Sequence, residues 1–515
     1  MLLTNKFYGT MISIMIARTN SATVLGYTGV VVDIECHITK GLPSFQIVGL
    51  ANKEIGEARE RVRAAITNSN FSFPAKHVTI NMAPADIAKD GTHFDLPIAV
   101  SILQCSGQLL PTATDKILLA GELGLDGKLR SIRGSLAIAE TAVRQGFTTI
   151  ILPKKNAPQA SLVKNIDVIG VNSLADAVLH LTGESVVKST TKTVTANNVV
   201  KSTSDMVDLG DIKGQESAKR ALVIAAAGHH NVLFSGPPGA GKTMLAKALM
   251  GILPPMTDKE IFEVTKIHSL ISDSEKVVSD RPFRSPHHTA SHISLIGGGS
   301  KPTPGEISLA HNGVLFLDEL PEYPRQTLES LRQPLEDRKI NVSRSAGKTT
   351  YPANFMLVAT KNPCPCGFFG DPTKECSCTQ TQILSYQKRI SGPLLDRIDM
   401  TVNVARVPQK ELLSAPTEQK TTSLSADCHK EIVSARKAQQ ERQGGSNSSL
   451  SSKKVVELAK MTDDAKKLLE TAVDKLELSA RSYFKIIRVA RTIADLNNSP
   501  QVTEKEVSEA LQYRQ

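Results

Sequence analysis

A single eight-residue segment limits most strongly what this chain can fold into. Residues 236–243 read GPPGAGKT and fit the pattern G-x-x-x-x-G-K-[ST]. The apolar run at 231–235 predicts a strand before it, and residues 243–250 predict a helix after it. A strand, a glycine-rich turn and a helix in this order form a phosphate-binding loop, in which backbone N–H groups and the helix N-terminus face phosphate groups. The sequence therefore predicts an α/β P-loop domain.

The loop predicts binding of ATP and Mg²⁺. Lys242 is expected to reach the β- and γ-phosphate oxygens, and the Thr243 hydroxyl to coordinate Mg²⁺. The alternative, a chance glycine turn, is disfavoured by the strand and helix that flank the loop. The residues predicted to contact the nucleotide are Gly236, Pro237, Pro238, Gly239, Ala240, Gly241, Lys242 and Thr243.

Two further predicted strands end in polar residues suited to the same site. The apolar run Val314–Leu317 is followed by Asp318 and Glu319. Asp318 suits the hydration shell of Mg²⁺, and Glu319 suits polarisation of an attacking water. A third strand predicted at 354–359 leads to Asn362, which either positions water beside the γ-phosphate or serves as a turn residue. The residues alone leave both interpretations of Asn362 open.

The length of 515 residues predicts about three domains. Residues 186–207 lose hydrophobic periodicity and are rich in Ser, Thr, Lys and Asn, which is typical of a linker. A helix is predicted at 54–68, and C-terminal helices are predicted after a capping Thr462 and at 479–496. The predicted divisions are an N-terminal domain at 11–185, the linker at 186–207, an ATPase core at 208–410 and a helical domain at 426–515.

Composition limits the partners and the compartment. A net charge of +10 permits nucleic acid as a partner without requiring it. No membrane span is predicted. The longest charge-free run, residues 96–114, is interrupted by Pro and Gly. The apolar run at residues 11–17 is too short to span a membrane and predicts a strand. Seven cysteines in a chain of this length do not form a disulfide framework, so we expect a reducing cytoplasm.

Four of the cysteines crowd into fifteen residues and predict a zinc site. Cys364, Cys366, Cys376 and Cys378 have the spacing C-x-C-x₉-C-x-C. Four thiolates around Zn²⁺ would close a small loop that has few apolar residues of its own. Two disulfides or four free thiols are the alternatives. A zinc ion here is expected to be structural, because no water-activating base lies within the cluster.

Several motifs together resemble those of the magnesium-chelatase-like AAA+ ATPases, in the YifB-type branch of bacterial competence proteins. The motifs are RPFRS at 281–285, PHHT at 286–289, GGG at 297–299, PGEISLAH at 304–311, the acids Asp318 and Glu319, and NPCPCG at 362–367. The resemblance runs from about Met11 to the C-terminus. The family usually begins near Met11, so residues 1–10 are interpreted as the product of an upstream start codon.

The resemblance implies a fold and three further site residues. The fold is an AAA+ α/β core with a helix-2 insert and a helical lid, assembled as a hexameric ring. Asn362 is implied as the sensor-1 residue, Arg397 as the arginine finger and Arg481 as the sensor-2 residue. From the residues alone, Arg397 between Asp396 and Asp399 also fits a structural salt bridge.

The N-terminal region resembles the proteolytic domain of Lon, a Lon-protease/ribosomal-S5-like α+β fold, on residues 79–97 and 121–134. The nucleophilic serine and the base lysine of the protease are absent at the corresponding positions. A Ser–Lys dyad needs both groups within hydrogen-bond reach, so we expect no peptidase activity. Four nearby polar residues are interpreted as turn and surface groups rather than as another catalytic set: Asp86, Lys89, Asp90 and His93.

Residues 337–351 predict a β-hairpin with cations beside its turn. The pattern alternates from Ile340 and turns at 345–347, with Arg344 and Lys348 flanking the tip. Related helix-2-insert ATPases carry a hairpin here that points into the pore of the ring, and 284–301 matches the insert itself. Arg344 and Lys348 are therefore expected to contact DNA phosphates, unless the hairpin is a solvated surface feature.

The resemblance implies an ATP-driven DNA motor that promotes branch migration and extends heteroduplex during homologous recombination in natural transformation. Its expected partners are single-stranded, duplex and branched DNA, further copies of the chain, and a recombinase. A motor subunit that drives Mg²⁺ insertion into a porphyrin is the first alternative. The Lon-like region and the cysteine cluster lie outside the usual chelatase motor subunit and argue against it. An AAA+ protease is the second alternative, disfavoured by the missing serine and lysine.

Overall fold

The computed structural model describes residues 16–49, 53–110, 114–190, 207–272, 276–299, 303–344, 347–407 and 423–514. They group into two compact units. The first holds the described residues up to position 199 together with Asp258–Ser279, and the second holds the rest. Residues 1–10, most of the strand predicted at 11–17 and most of the predicted linker lie outside the described residues.

The first unit is built on a mixed seven-stranded sheet with apolar residues on its buried faces. From edge to edge its strands are Ser44–Val48, His77–Ala83, Thr28–Thr39, Ile16–Leu25, Ile117–Leu119, Thr149–Pro153 and Asp167–Val171. The helices are Lys53–Asn68, Asp95–Cys105, Ser135–Arg144, Ala157–Ala160, Leu174–Thr182 and Asp258–Ser269. The predicted helix at 54–68 is confirmed, with Ala58, Val62 and Ile66 buried on one face.

One helix of the first unit comes from a distant part of the sequence. Asp258–Ser269 follows the phosphate-binding loop in the chain but packs beside Ser135–Arg144. The buried Lys266 ammonium pairs with Glu140 and lies 3.9 Å from the ring centroid of Tyr27. An ion pair and a cation–π contact at a desolvated position hold the helix to this unit.

The second unit is built on a parallel five-stranded sheet. Its strands, in spatial order, are Phe283–Arg284, Val314–Leu317, Met356–Lys361, Val232–Ser235 and Met400–Asn403. All four pairings are parallel, so the carboxyl ends of the strands meet at one edge. That edge carries the phosphate-binding loop, as expected for an open α/β sheet.

Helices surround this sheet and continue into a C-terminal helical bundle. The helices of the core are Glu216–Gly228, Lys242–Ile252, His292–Ile296, Glu306–Leu309, Arg325–Ser330, Arg332–Asp337, Gln380–Gln387 and Gly392–Leu395. The bundle comprises Leu424–Gln443, Ser452–Ala459, Asp463–Leu476, Ala480–Leu496 and Glu504–Gln512. The predicted cap Thr462 is confirmed, since it accepts a backbone N–H from the first turn of its helix, and Ser479 caps the helix Ala480–Leu496 in the same way. We call Ala480–Leu496 the lid helix. None of the helices in the described ranges is long and apolar enough to cross a membrane.

The predicted hairpin is confirmed in the backbone. Lys339–Arg344 pairs antiparallel with Gly347–Pro352, in the register that places Ile340 opposite Tyr351. The turn residues 345–346 and the side chains at 344 and 348 lie outside the described part of the chain. The hairpin begins directly after the helix Arg332–Asp337.

Candidate functional site

The phosphate-binding loop places Lys242 at the edge of the sheet. Gly241 has φ +87°, in the left-handed region that favours glycine, and starts the helix Lys242–Ile252. The Lys242 Nζ donates to the carbonyls of Gly236 (2.6 Å) and Pro237 (2.9 Å) and to Asn362 Oδ1 (3.0 Å). Burial lowers the pKa of Lys242, while Asp318 and Glu319 raise it. The structure thus brings Asn362 from the neighbouring strand to the lysine of the loop.

Two threonines hydrogen-bond to the acid pair, and one of them belongs to the phosphate-binding loop. Thr243 Oγ1 donates to Asp318 Oδ2 over 3.2 Å, and Thr360 Oγ1 donates to Asp318 Oδ1. The backbone N–H of Glu319 donates to the same Thr360 hydroxyl over 2.9 Å. The Thr243 hydroxyl and the Asp318 carboxylate are both oxygen ligands of the kind Mg²⁺ prefers. Glu319 has φ +52° and is exposed at the strand end.

Thr360 is the residue of this site that the sequence analysis missed. It is fully buried at the end of Met356–Lys361 and fixes both acids at once. A threonine inside an apolar strand, two residues before Asn362, is the only sequence signal of it. Its hydroxyl holds the Asp318 carboxylate against the loop.

The four cysteines come together as the spacing predicts. Their Sγ atoms all lie within 4.8 Å of one another, with Cys364 at 3.4 Å from Cys366 and 3.6 Å from Cys376. Four ligands at about 2.3 Å from a tetrahedral Zn²⁺ stand about 3.8 Å apart. No disulfide joins the four thiols in this structure, and Sγ–Sγ distances of 3.4 and 3.6 Å are longer than an S–S bond of about 2.05 Å. Backbone N–H groups of Phe369 and Cys366 also donate to Sγ atoms of Cys364 and Cys378. The donor set therefore fits zinc.

The cysteine cluster packs against the phosphate-binding loop. Gly367, with φ +85°, lies between the two cysteine pairs. A Cβ at this position would lie 2.6 Å from the Pro238 Cδ atom and displace one of the two segments. The turn that carries Cys364 and Cys366 thus supports the loop that would hold phosphate.

The two arginines implied by the family resemblance lie elsewhere in the second unit. Arg397 pairs with Glu336 and donates to the carbonyl of Pro393 over 2.6 Å. Arg481 lies on the lid helix, with Nη1 4.0 Å from Asp396 Oδ2. Both arginines line one cavity, and none of their described polar partners belongs to the phosphate-binding loop.

Two polar residues of the first unit were wrongly interpreted as surface groups. Lys89 is fully buried and donates to the carbonyl of Pro84, and His93 is 7% exposed and bonds to the carbonyl of Ala22 over 2.9 Å. Asp86 is exposed, as expected. Burial lowers the pKa of His93 to about 4, so the imidazole is neutral at pH 7. Within the described residues, neither Lys89 nor His93 bonds to a hydroxyl nucleophile.

Together, these features define a P-loop protein of the AAA+ class. They are a parallel sheet with a phosphate-binding loop, an acid pair at the end of the next strand but one, and a helical bundle. Comparison with known families agrees. The profile "Magnesium chelatase, subunit ChlI" matches residues 208–412, "Subunit ChlI of Mg-chelatase" matches 34–156, and "Magnesium chelatase, subunit ChlI C-terminal" matches 422–514.

Individual relatives narrow the assignment. The chain is 44% identical over 496 residues to "Competence protein ComM" of Haemophilus influenzae, and the alignment covers 96% of each chain. It is 41% identical over 508 residues to "Uncharacterized protein YifB" of Escherichia coli, which covers 98% of this chain and 97% of that one. The chain belongs to the ComM/YifB family of magnesium-chelatase-like AAA+ proteins. A shorter similarity to Lon protease 2 of Bacillus subtilis, 30% over 140 residues and 25% of each chain, agrees with a Lon-like fold in the N-terminal region.

Proposed function

We propose that this protein is an ATP-driven DNA motor that promotes branch migration during homologous recombination in natural transformation. The observation that carries the proposal is the junction of Lys242, Asn362, Thr243 and Asp318 at one edge of the parallel sheet. A competence protein as a relative over almost the whole length supports the biological setting. The motor is expected to work in the cytoplasm on single-stranded, duplex and branched DNA, with a recombinase as a further partner.

Each site residue has its own role in phosphoryl transfer. Lys242 binds the β- and γ-phosphate oxygens, and Thr243 and Asp318 hold Mg²⁺. Bound Mg²⁺ supplies positive charge that offsets the charge developing on the phosphate oxygens. Glu319, held by its backbone at Thr360, polarises the attacking water, and Asn362 orients it.

Arg397 and Arg481 are proposed to complete this site in a neighbouring copy of the chain. Both line the same cavity, which supports a common role for them. Copies joined head to tail, each presenting these arginines to the next phosphate-binding loop, close into a ring, and we propose a hexamer.

The hairpin is proposed to hold DNA. Arg344 and Lys348 flank its tip, and six copies in a ring present about twelve cations, a number suited to contacts with a phosphate backbone without base readout. For the Arg344→Ala/Lys348→Ala variant, DNA-stimulated ATP hydrolysis and strand displacement are expected to fall. The salt dependence of DNA binding should become shallower, because fewer counterions are released.

The matched control for the hairpin is Lys466→Ala/Lys467→Ala, which removes the same charge from an exposed helix of the bundle. Fluorescence anisotropy across a salt series and a branch-migration assay measure both variants. Unchanged branch migration by the hairpin variant would place the DNA contact elsewhere.

The chelatase alternative rests on the three family profiles named for that subunit. ATPase rates separate the two functions. A DNA motor is expected to hydrolyse ATP faster with single-stranded DNA, duplex or a three-strand junction, and a chelatase motor only with its porphyrin-binding partner subunits. Stimulation by none of the DNA substrates would favour the chelatase function.

We also propose that the four cysteines bind one structural Zn²⁺, which keeps the turn at Gly367 against Pro238. Purified protein is expected to contain about one zinc per chain, and its removal by a chelator should weaken ATP binding. Metal analysis and nucleotide titration measure both effects. Cys376→Ser should reproduce them, and Cys428→Ser, outside the cluster, should not. Protein that contains no zinc and has seven titratable thiols would contradict the site.

A further inference from the structure

A cavity of about 340 Å³ lies between the lid helix and the core of the second unit. Five cationic side chains line it: Arg338, Arg397, Arg481, Lys485 and Arg488. Three acids also line it: Glu336, Asp396 and Asp399. The volume lies in the range of small-ligand pockets, and a DNA duplex does not fit inside it.

Among the described residues, three of the five cations hydrogen-bond to neutral oxygens rather than to a carboxylate. Arg338 donates to the Ser448 hydroxyl over 3.4 Å, and Lys485 and Arg488 donate to the carbonyls of Ile398 and Leu450 over 2.9 Å. No carboxylate in the described part of the chain lies within 4.0 Å of these cations.

The acid whose charge acts on all three cations, Asp399, already has other partners. Asp399 accepts the backbone N–H of Asn231 over 2.9 Å and lies 3.6 Å from His230 Nδ1. Arg397 and Arg481, by contrast, face Glu336 and Asp396. Five cations thus line the cavity against three acids, and Arg338, Lys485 and Arg488 share the charge of one carboxylate, that of Asp399.

Burying these cations costs free energy in a single chain. Burial lowers the pKa of Arg338, Lys485 and Arg488, which means that their charged forms are poorly solvated. One donor in the cavity, the Nε–H of Arg397, is buried without a hydrogen-bond partner among the described residues. Desolvated cations and unpaired donors are stabilised by an anion with several acceptor oxygens.

We propose that Arg338, Lys485 and Arg488 bind the triphosphate of a nucleotide carried by a second copy of this chain. The phosphate tail has the several negative oxygens that three cations can share. The second copy is required because Lys242 and the acid pair, which hold the nucleotide of the same chain, share no described polar contact with these cations. Arg397 and Arg481 line the same cavity, so this inference rests on the proposed ring and adds three phosphate-binding residues to its shared site.

The test compares Lys485→Met/Arg488→Met with Lys466→Met/Lys467→Met, which removes equal charge from an exposed helix of the bundle. The cavity variant is expected to bind ATP in dilute solution like the unchanged protein. Its turnover in the assembly should fall by about 10- to 100-fold, as for the loss of charged hydrogen bonds. Lys485→Arg/Arg488→Lys keeps both charges and should retain most of the turnover, which separates charge from packing.

Inorganic tripolyphosphate probes the cavity directly. In a Lys242→Ala background, in which the phosphate-binding loop is disabled, calorimetry should detect its binding, and the added Lys485→Met/Arg488→Met changes should abolish it. Equal tripolyphosphate affinity with and without these two changes would overturn the inference. If Arg397→Ala abolishes hydrolysis while the cavity variant turns over normally, this inference alone fails. If Arg397→Ala also turns over normally, the proposed shared site itself fails.

Discussion

The Glu319→Gln variant is expected to bind ATP as tightly as the unchanged protein and to lose turnover by about 10²-fold or more, the usual contribution of a general base. The side chain of Glu319 is exposed at the strand end, and its backbone N–H bonds to Thr360. Replacing its carboxylate with an amide keeps this backbone contact and removes the group proposed to polarise water. Fluorescent-nucleotide binding and phosphate release measure the two quantities separately.

Lys242→Ala, in contrast, is expected to weaken ATP binding itself. The Lys242 ammonium lies between two loop carbonyls and Asn362, at the position from which it reaches phosphate oxygens in both ground and transition states. Glu322→Gln is the matched control for Glu319→Gln, because Glu322 lies three residues away and pairs with Arg389. Normal hydrolysis by Glu319→Gln or Lys242→Ala would remove that residue from the proposed site.

The parts of this site that the sequence predicts are those fixed by local chemistry. The strand, loop and helix around Lys242 form where the pattern places them, because glycines at the turn and apolar residues in the strand leave few other conformations. The cysteine cluster was predictable for a similar reason, since four thiols within fifteen residues can converge through a short loop.

The parts that escaped prediction depend on contacts between distant residues. Thr360 reads as an ordinary strand residue until the parallel pairing places it beside Asp318. The helix Asp258–Ser269 lies within the predicted ATPase core in the sequence, yet the Lys266 ammonium packs on Tyr27, far away in the chain. Lys89 and His93 have polar side chains suited to a surface, but the fold satisfies them with backbone carbonyls inside the unit.

Arg397 shows why a role in an assembly cannot be derived from one chain alone. The sequence suggested pairing with Asp396 or Asp399, whereas the guanidinium pairs with Glu336 on a different helix. The Glu336 side chain is 56% exposed and the Arg397 side chain 14%, so the carboxylate end of this pair is open to water while the guanidinium end is largely buried. Because the Glu336 carboxylate is hydrated, the proposed role requires the Arg397 guanidinium to exchange it for a phosphate when another copy approaches.

The second prediction with a large expected effect concerns this exchange of Glu336 for a phosphate. Arg397→Ala is expected to leave ATP binding intact and to lower turnover by about 10³- to 10⁵-fold, the effect of an arginine that stabilises the transferred phosphoryl group. If Arg397 acts on a neighbouring copy, as we propose, mixing Arg397→Ala with Lys242→Ala protein should restore part of the activity. In an equal mixture, about one head-to-tail interface in four combines an intact loop with an intact arginine.

The mixing experiment also discriminates between a shared and a self-contained site. Each variant alone lacks one component at every interface, so neither is active, and only subunit exchange can create a complete site. Phosphate release is measured against the mixing ratio, with native mass spectrometry to confirm that mixed assemblies form. Activity should peak near equal proportions, because that ratio maximises complete interfaces. Mixed assemblies without any recovered activity would mean that Arg397 serves its own chain, and its pair with Glu336 would then be structural.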